Sequence, residues 1–128
     1  MAVNTFNSAN KWKKRGIAMM PLKYAANYIN LSGATTIVNI NAPDGSVVVR
    51  TPSCEMGQGG LTKVISAVAA TLNIPIEMVT PYHPDSSVQP NMMTDGASVG
   101  SEIMIESAVL ACKELLPKIA EVCGSSSP

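Results

Sequence analysis

The sequence predicts an α+β fold (α/β layers) in which a small mixed sheet carries two helices packed on one face. Three observations predict it: two β-branched runs flank a turn at residues 43–45, two later stretches repeat apolar residues at helical spacing, and a glycine-bearing loop precedes each of these stretches. The expected order of elements is β-β-β-α-β-α around one core. At 128 residues the chain has the size of a single domain, and residues 1–9 and 124–128 are expected to be frayed ends.

Strands are expected in three parts of the chain. Residues 15–24 (RGIAMMPLKY) are apolar and predict a strand that is broken at Pro21. Residues 33–52 contain two runs rich in Val, Ile and Thr on either side of a Pro-Asp-Gly turn, which is typical of a hairpin in which Gly45 takes a positive φ. Residues 76–84 predict a further short strand between the two helices.

Helices are expected over residues 59–73 and 101–119. The first has an apolar stripe at i, i+3 and i+4 spacing, formed by Leu61, Val64, Ile65, Val68 and Leu72. Asn73 can end this helix, and Pro75 enforces the stop. In the second helix, Pro117 is expected to introduce a kink or an end, because proline inside a helix costs about 3 kcal/mol.

Composition excludes several classes of function. The chain has nine acidic and nine basic residues, and its aromatic residues are one Trp, three Tyr and one Phe. A neutral surface with few aromatic rings is not expected to bind nucleic acid. No apolar run approaches the roughly 20 residues that a membrane span needs. The basic cluster near the N-terminus follows a polar stretch, the reverse of a signal peptide, so a cytoplasmic location is expected, with a peroxisomal one also open.

Single reactive residues favour structural roles. Cys54, Cys112 and Cys123 are odd in number and form no C-x-x-C, which is typical of reduced thiols rather than of a disulfide framework or a zinc site. His83 is the only histidine and has no second ligand at metal spacing. Glu55 is interpreted as an acid favoured by the dipole of the following helix rather than as a general base.

The two glycine loops are the strongest functional signal. Residues 57–60 (GQGG) and residues 96–101 (GASVGS) each lead into a predicted helix. A helix start leaves about four N–H groups unpaired and carries about half a positive charge, and small residues let an anion approach closely. Gln58 adds an amide, and Ser98 and Ser101 add hydroxyl groups. Two donor arrays of this kind would suit a polar, heterocyclic ligand that bears a phosphate.

Ordinary turn glycines with an N-cap serine are the alternative interpretation of these loops. The first loop matches neither G-x-G-x-x-G nor the phosphate-binding G-x-x-x-x-G-K-[ST], since Lys63 stands at the wrong offset. Local spacing alone therefore leaves both interpretations open.

Longer segments extend the pattern beyond the loops. KWKKRGIAMMPLKY, DGSVVVRTPSCEMGQGGLTKV, TLNIPIEMVT and QPNMMTDGASVGSEI follow one another from about residue 10 to residue 119. In this order they resemble the molybdenum-cofactor domain of the xanthine dehydrogenase and aldehyde oxidase family. The resemblance implies an oxidoreductase that hydroxylates a purine or an aldehyde with oxygen from water, at a molybdenum held by molybdopterin. It also implies that electrons leave through 2Fe–2S clusters and FAD to NAD or oxygen.

The resemblance also assigns residues. Tyr24 stands where the family usually has a Phe that packs against the substrate ring, and Gly96 and Ala97 fall beside the metal centre. No catalytic residue is assigned, because the family's glutamate base lies in a G-E motif that this chain lacks. Matches to the segments that bind the pterin and its phosphate are Gly57, Gln58, Gly59, Gly96, Ala97, Ser98, Val99, Gly100 and Ser101.

Two residues depart from the family's pattern. Asp95 stands where a Thr is frequent, and Gly100 stands where a Ser is common. A carboxylate within reach of a phosphate opposes binding unless it turns away.

The chain also lacks an iron–sulfur cysteine set and a flavin-binding region. It is therefore expected to be a fragment of a larger molybdopterin-binding domain, inactive alone, with the remaining domains of the same enzyme and a purine or aldehyde as partners. A near-neutral charge and uncovered apolar surface predict a homo-oligomer. A stand-alone module for a pterin or phosphate ligand, or a non-catalytic interaction domain, are the alternatives.

Overall fold

The computed structural model describes residues 2–24, 34–52, 54–90 and 95–124. Among them no helix has both the length and the apolar character that crossing a membrane requires. The α+β class is confirmed, since the described residues form three α-helices and a three-stranded mixed sheet. The elements are α1 (Ala2–Ala9), β1 (Ile37–Ile40), β2 (Val47–Arg50), α2 (Gly60–Leu72), a 3-10 turn (Ile76–Met78), β3 (Val79–Tyr82) and α3 (Gly100–Cys123).

The sheet has the order β1-β2-β3. Strands β1 and β2 form the predicted antiparallel hairpin, in which Val38 lies opposite Val49, and Gly45 has the expected positive φ of 71°. Strand β3 runs parallel to β2, with Val47 opposite Val79. A parallel neighbour requires a crossover, and here α2 provides it. The chain therefore leaves the end of β2, passes through the first glycine loop and enters α2.

Helices α2 and α3 cover one face of this sheet. Val47 and Val49 lie two residues apart, so they point to the same side of β2, where they are 2% and 1% exposed. The predicted stripe of α2 supplies Val64, Val68 and Leu72 to the core. Residues contributed by α3 and β3 complete the buried cluster: Met104, Ala108, Cys112 and Val79. Burial of this apolar surface is the main force that holds the two helices on the sheet.

The prediction of a strand at residues 15–24 is wrong. Residues 10–24 have no regular secondary structure. The apolar side chains that suggested a strand lie in solvent, since Ile17, Met19, Met20 and Leu22 are 85%, 95%, 92% and 91% exposed. A strand is stabilised by a paired neighbour and a buried face, and the described residues provide this segment with neither.

The two ends of the chain differ from their predicted structure. Residues 2–9 form α1, although none of its residues is buried, so fraying of this end stays a prediction. Residues 125–128 lie outside the described residues. Pro117 does not end the last helix, which continues to Cys123, so that part of the prediction is wrong. Pro117 and Lys113, whose carbonyl loses its N–H partner, are both exposed, and water can therefore satisfy that carbonyl.

The three thiols give a direct test of this packing. Cys112 is fully buried in α3, and burial raises the pKa of its thiol, whereas Cys54 and Cys123 are exposed. We expect an aromatic disulfide reagent at about pH 8 to modify two thiols rapidly and the third only as the core opens. Cys112→Ala should remove the slow phase alone. Three fast thiols in the native chain would contradict the described core.

Candidate functional site

The N-terminal ends of α2 and α3 meet at a cavity of about 450 Å³. Both glycine loops contribute residues to its wall, so the fold brings these distant segments together. The residues that line the cavity are Met56, Gln58, Lys63, Asp95, Gly96, Ala97, Ser98, Gly100, Ser101 and Met104. Two helix starts directed at one space place their partial positive charges together.

The first loop satisfies its own helix start. Gly59, at the N-cap of α2, has no side chain to cap the helix, and the carboxylate of Glu55 takes this role. One oxygen of Glu55 accepts hydrogen bonds from the N–H groups of Gly57 (2.9 Å) and Gly59 (3.1 Å). The other accepts from the N–H of Leu61 at 3.0 Å. The expectation of two open donor arrays is therefore wrong for α2, whose first donors are occupied from within the chain.

The same bonds fix the charge of Glu55. Hydrogen bonds from the N–H groups of Leu61 and Gly59, in that order, hold the pKa of this carboxyl below its usual value. Three backbone donors stabilise the ionised form. A carboxylate held in this way agrees with the interpretation of Glu55 as a helix-start acid and not as a base.

Gln58 stabilises the first loop through two hydrogen bonds to the backbone. Its Oε1 accepts a hydrogen bond from the N–H of Met56 at 2.6 Å, and its Nε2 donates to the carbonyl of Cys54 at 2.9 Å. An amide NH₂ has two hydrogens, so the side chain can also donate to a ligand in the cavity that it lines. Gly57 and Gly59 have φ values of 93° and 77°, which favour glycine, and neither is among the residues that line the cavity. A cofactor-binding role for Gly57, Gln58 and Gly59 stays a prediction.

The second loop is built differently. Residues 96–99 form a turn in which the N–H of Val99 donates to the carbonyl of Gly96 at 3.3 Å. Its two central residues, Ala97 and Ser98, have φ values of 54° and 56°. Positive φ at both positions is typical of a type I′ turn, which favours Gly or Asn, so each of these residues stores about 1 kcal/mol of strain. Helix α3 then starts at Gly100, and the side chain of its N-cap residue, Val99, makes no capping hydrogen bond.

This arrangement leaves the start of α3 facing the cavity. The first N–H groups of a helix have no partner in the helix itself, and the side chain of Val99, the N-cap residue of α3, does not supply one. Five of the six predicted residues of this loop line the cavity, whereas Val99 is buried beneath it. The predicted binding roles of Gly96, Ala97, Ser98, Val99, Gly100 and Ser101 stay predictions.

Three contacts tie the surrounding segments to the second loop. The ammonium of Lys63 donates to the hydroxyl of Ser101 at 2.9 Å. The carboxylate of Asp95 accepts from the N–H of Cys54 at 2.9 Å. The hydroxyl of Tyr24, a half-exposed residue, donates to the carbonyl of Ala97 at 2.5 Å. Tyr24 therefore lies beside the site, although its role toward a substrate stays a prediction.

Sequence reasoning missed three residues of the cavity wall: Met56, Lys63 and Met104. Lys63 was set aside because its offset does not fit a phosphate-loop motif, yet it lies one turn into α2 and faces the start of α3. Nothing local to either segment indicates that contact, because packing of the helices creates it. Within the described ranges, no three His, Cys, Asp or Glu residues lie close enough to hold a metal ion.

Comparison with known proteins connects this geometry to one family. Residues 1–127 match the family model described as a molybdopterin cofactor-binding domain. The chain is 36% identical over 119 residues to xanthine dehydrogenase of Drosophila pseudoobscura pseudoobscura, covering 91% of this chain and 9% of that protein. It is 36% identical over 127 residues to aldehyde oxidase 1 of Bos taurus, covering 98% of this chain and 9% of that protein.

A solved structure shows the same fold. The structure of Cu,Mo-CO dehydrogenase in its carbon monoxide-reduced state matches 66% of this chain and 11% of that chain, with a TM-score of 0.61 and 21% identity. The chain spans 9% of the length of the curated relatives named above.

Glu55 gives a prediction with a defined pH dependence. Folding lowers the pKa of this carboxyl from its usual value of 4.5. The ionised carboxylate therefore stabilises the folded state at pH values above 4.5, and this stabilisation is lost as the pH falls through the pKa of the folded state. We expect Glu55→Gln to lower the melting temperature at neutral pH, and the difference from the parent chain to close below pH 4.5. Glu121→Gln, at the exposed end of α3, is the matched control. A pH-independent difference would show that the carboxylate does not cap α2.

Proposed function

This chain belongs to the molybdopterin cofactor-binding domain family, and on that basis we propose that its cavity forms part of the pterin-binding wall of a molybdenum hydroxylase related to xanthine dehydrogenase and aldehyde oxidase. The observation that carries the proposal is the meeting of two glycine loops, far apart in sequence, at one cavity beside two helix starts. A packed core alone does not require such a space between helix ends.

The residues present fit the cofactor. A cavity of about 450 Å³ lies in the range of roughly 300–1,000 Å³ that small-molecule sites occupy. Its wall has the amide of Gln58 and the hydroxyl groups of Ser98 and Ser101, which suit a polar heterocycle. Met56, which is exposed, adds apolar surface against which a flat ring system can pack.

The phosphate end has its own partners. The ammonium of Lys63 and the start of α3 meet at Ser101. Both favour an anion, since a helix start carries partial positive charge and an ammonium forms charge-assisted hydrogen bonds with phosphate oxygens. We assign the phosphate of the cofactor to this corner. The first loop, whose donors are held by Glu55, acts as the rigid opposite wall.

Within the larger enzyme, this chain binds and orients the cofactor. When bound, the cofactor supplies the molybdenum centre at which a carbon of a purine or an aldehyde is hydroxylated with oxygen from water. Gly96 and Ala97 form the wall beside that centre, and Tyr24, held by its bond to Ala97, borders the substrate side. The glutamate base, the 2Fe–2S clusters and FAD belong to the rest of the enzyme, so the chain alone is expected to bind without turnover.

A stand-alone module for the same cofactor is the second candidate, because the cavity is formed within this chain. The two candidates differ in the product that the gene encodes. A polypeptide of well over a thousand residues, with purine or aldehyde hydroxylation, supports the enzyme. A product of about 130 residues that binds molybdopterin without turnover supports the module.

Lys63 provides the test of the phosphate assignment. Lys63→Met keeps most of the apolar stem and removes the charge, and loss of a charge-assisted hydrogen bond costs about 1.5–3 kcal/mol. We expect the affinity for molybdopterin to fall by about tenfold or more, as measured by calorimetry without oxygen. The parent affinity should also weaken with added salt.

Lys118→Met is the matched control, because Lys118 is exposed in the last part of α3, away from the cavity. It should bind as the parent chain does. Equal affinities of the parent chain and Lys63→Met would place the phosphate elsewhere, and no binding by the parent chain would contradict the proposed function.

A further inference from the structure

We propose that Asp95 is a positioning residue that fixes the spacing between the two loops of the cavity, and that residue 100 is glycine in order to accommodate its carboxylate. Asp95 and Gly100 are the two positions at which the chain departs from the family's pattern, and in the structure they lie in contact with each other. The purpose assigned to this contact, a correctly shaped pterin site, rests on the proposed function, whereas the contact itself does not.

The first step is the bond between the loops. Oδ2 of Asp95 accepts a hydrogen bond from the N–H of Cys54 at 2.9 Å, across 41 residues of sequence. Cys54 lies three residues before the first loop, and its carbonyl accepts a hydrogen bond from Gln58 of that loop. Asp95 opens the second loop, directly before the strained turn. One side chain therefore joins the entrances of both loops, and hydrogen bonds to a charged group are among the stronger ones in proteins.

The second step is the glycine. A Cβ atom built on Gly100 would overlap with Oδ1 of Asp95. The backbone at Gly100 does not itself demand glycine, because its φ lies outside the positive range, unlike that of Gly57 or Gly59. Glycine is also less favourable than alanine within a helix. The demand for glycine therefore comes from the carboxylate that occupies the space of its side chain.

The two steps explain how a carboxylate fits beside an anion site. The side chain of Asp95 is short, so an oxygen cannot leave the space at Gly100 without moving the one bonded to Cys54. Held between these partners, the carboxylate is directed to the first loop and to the start of α3. A side chain at residue 100 would displace it and release both loops. Asp95 thus sets the distance between the wall that contains Gln58 and the wall that contains Ser101.

Amide hydrogen exchange at Cys54 tests the contact without any cofactor. The comparison uses the 128-residue chain and the variants Asp95→Ala, Asp95→Asn and Gly100→Ser. We expect Cys54 to exchange about tenfold faster or more in Asp95→Ala and Gly100→Ser, because each removes or displaces the acceptor. Asp95→Asn retains a carbonyl oxygen at the same place and should remain close to the parent chain. The amide of Val68, in the core of α2, reports that each variant is folded.

If Asp95→Ala does not protect the amide of Val68, that variant is not folded, and Gly100→Ser then provides the test. Unchanged exchange at Cys54 in either folded variant would overturn the inference. The double variant Asp95→Thr/Gly100→Ser supplies the rescue, since it removes the overlap and leaves a hydroxyl that can accept. Slow exchange and parent-like molybdopterin affinity in this variant, with weak affinity in Gly100→Ser, would support a positioning role.

Molybdopterin binding distinguishes the contact between Asp95 and Cys54 from its role in shaping the pterin site. Protection at Cys54 that depends on Asp95, together with equal affinity in all variants, would overturn the positioning role. The parent chain failing to bind molybdopterin would contradict the proposed function, and exchange at Cys54 would still decide whether Asp95 joins the loops.

Discussion

Packing of α2 against α3 is the constraint on which the site depends. The helices are far apart in sequence, and burial of Val64, Val68, Met104 and Ala108 brings them together on one face of the sheet. The same packing aligns their starts, where Met104 approaches Gly60 and Lys63 reaches Ser101. The cavity follows from this arrangement, because two loops that enter neighbouring helix starts must pass on either side of the space between them. The packing that forms the core therefore also determines the geometry of the site.

The two loops differ in how their backbone groups are satisfied. In the first loop, Glu55 and Gln58 satisfy backbone groups of their own segment, so this wall is fixed before any ligand arrives. In the second loop, Ala97 and Ser98 hold positive φ values, and Val99, the N-cap residue of α3, makes no side-chain capping bond. Strain of this kind persists only where the surroundings enforce it. A first loop held by its own hydrogen bonds and a strained second loop therefore contribute to the wall of one cavity.

The sequence predicted those features that depend on local pattern. The stripe of α2, its end at Asn73 and the hairpin around Gly45 were visible because periodicity and turn chemistry act over a few residues. Residues 15–24 are as apolar as a strand. Apolar character alone does not show whether a neighbouring strand is present to pair with the segment. Contacts between the loops could not be read from the sequence, since Lys63–Ser101 and Asp95–Cys54 arise only after the helices pack. The sequence indicates that Glu55 is an acid at a helix start, but it does not show that Glu55 accepts hydrogen bonds from the first N–H groups of α2.

A map of backbone amide chemical shifts during titration with molybdopterin, without oxygen, tests the central claim most directly. The account predicts saturable shifts at residues 56–63 and 95–104 together, largest at the start of α3, with the sheet and the end of α3 unchanged. Shifts confined to one loop, or centred on the exposed segment at residues 10–24, would contradict the claim that the two loops form a single site.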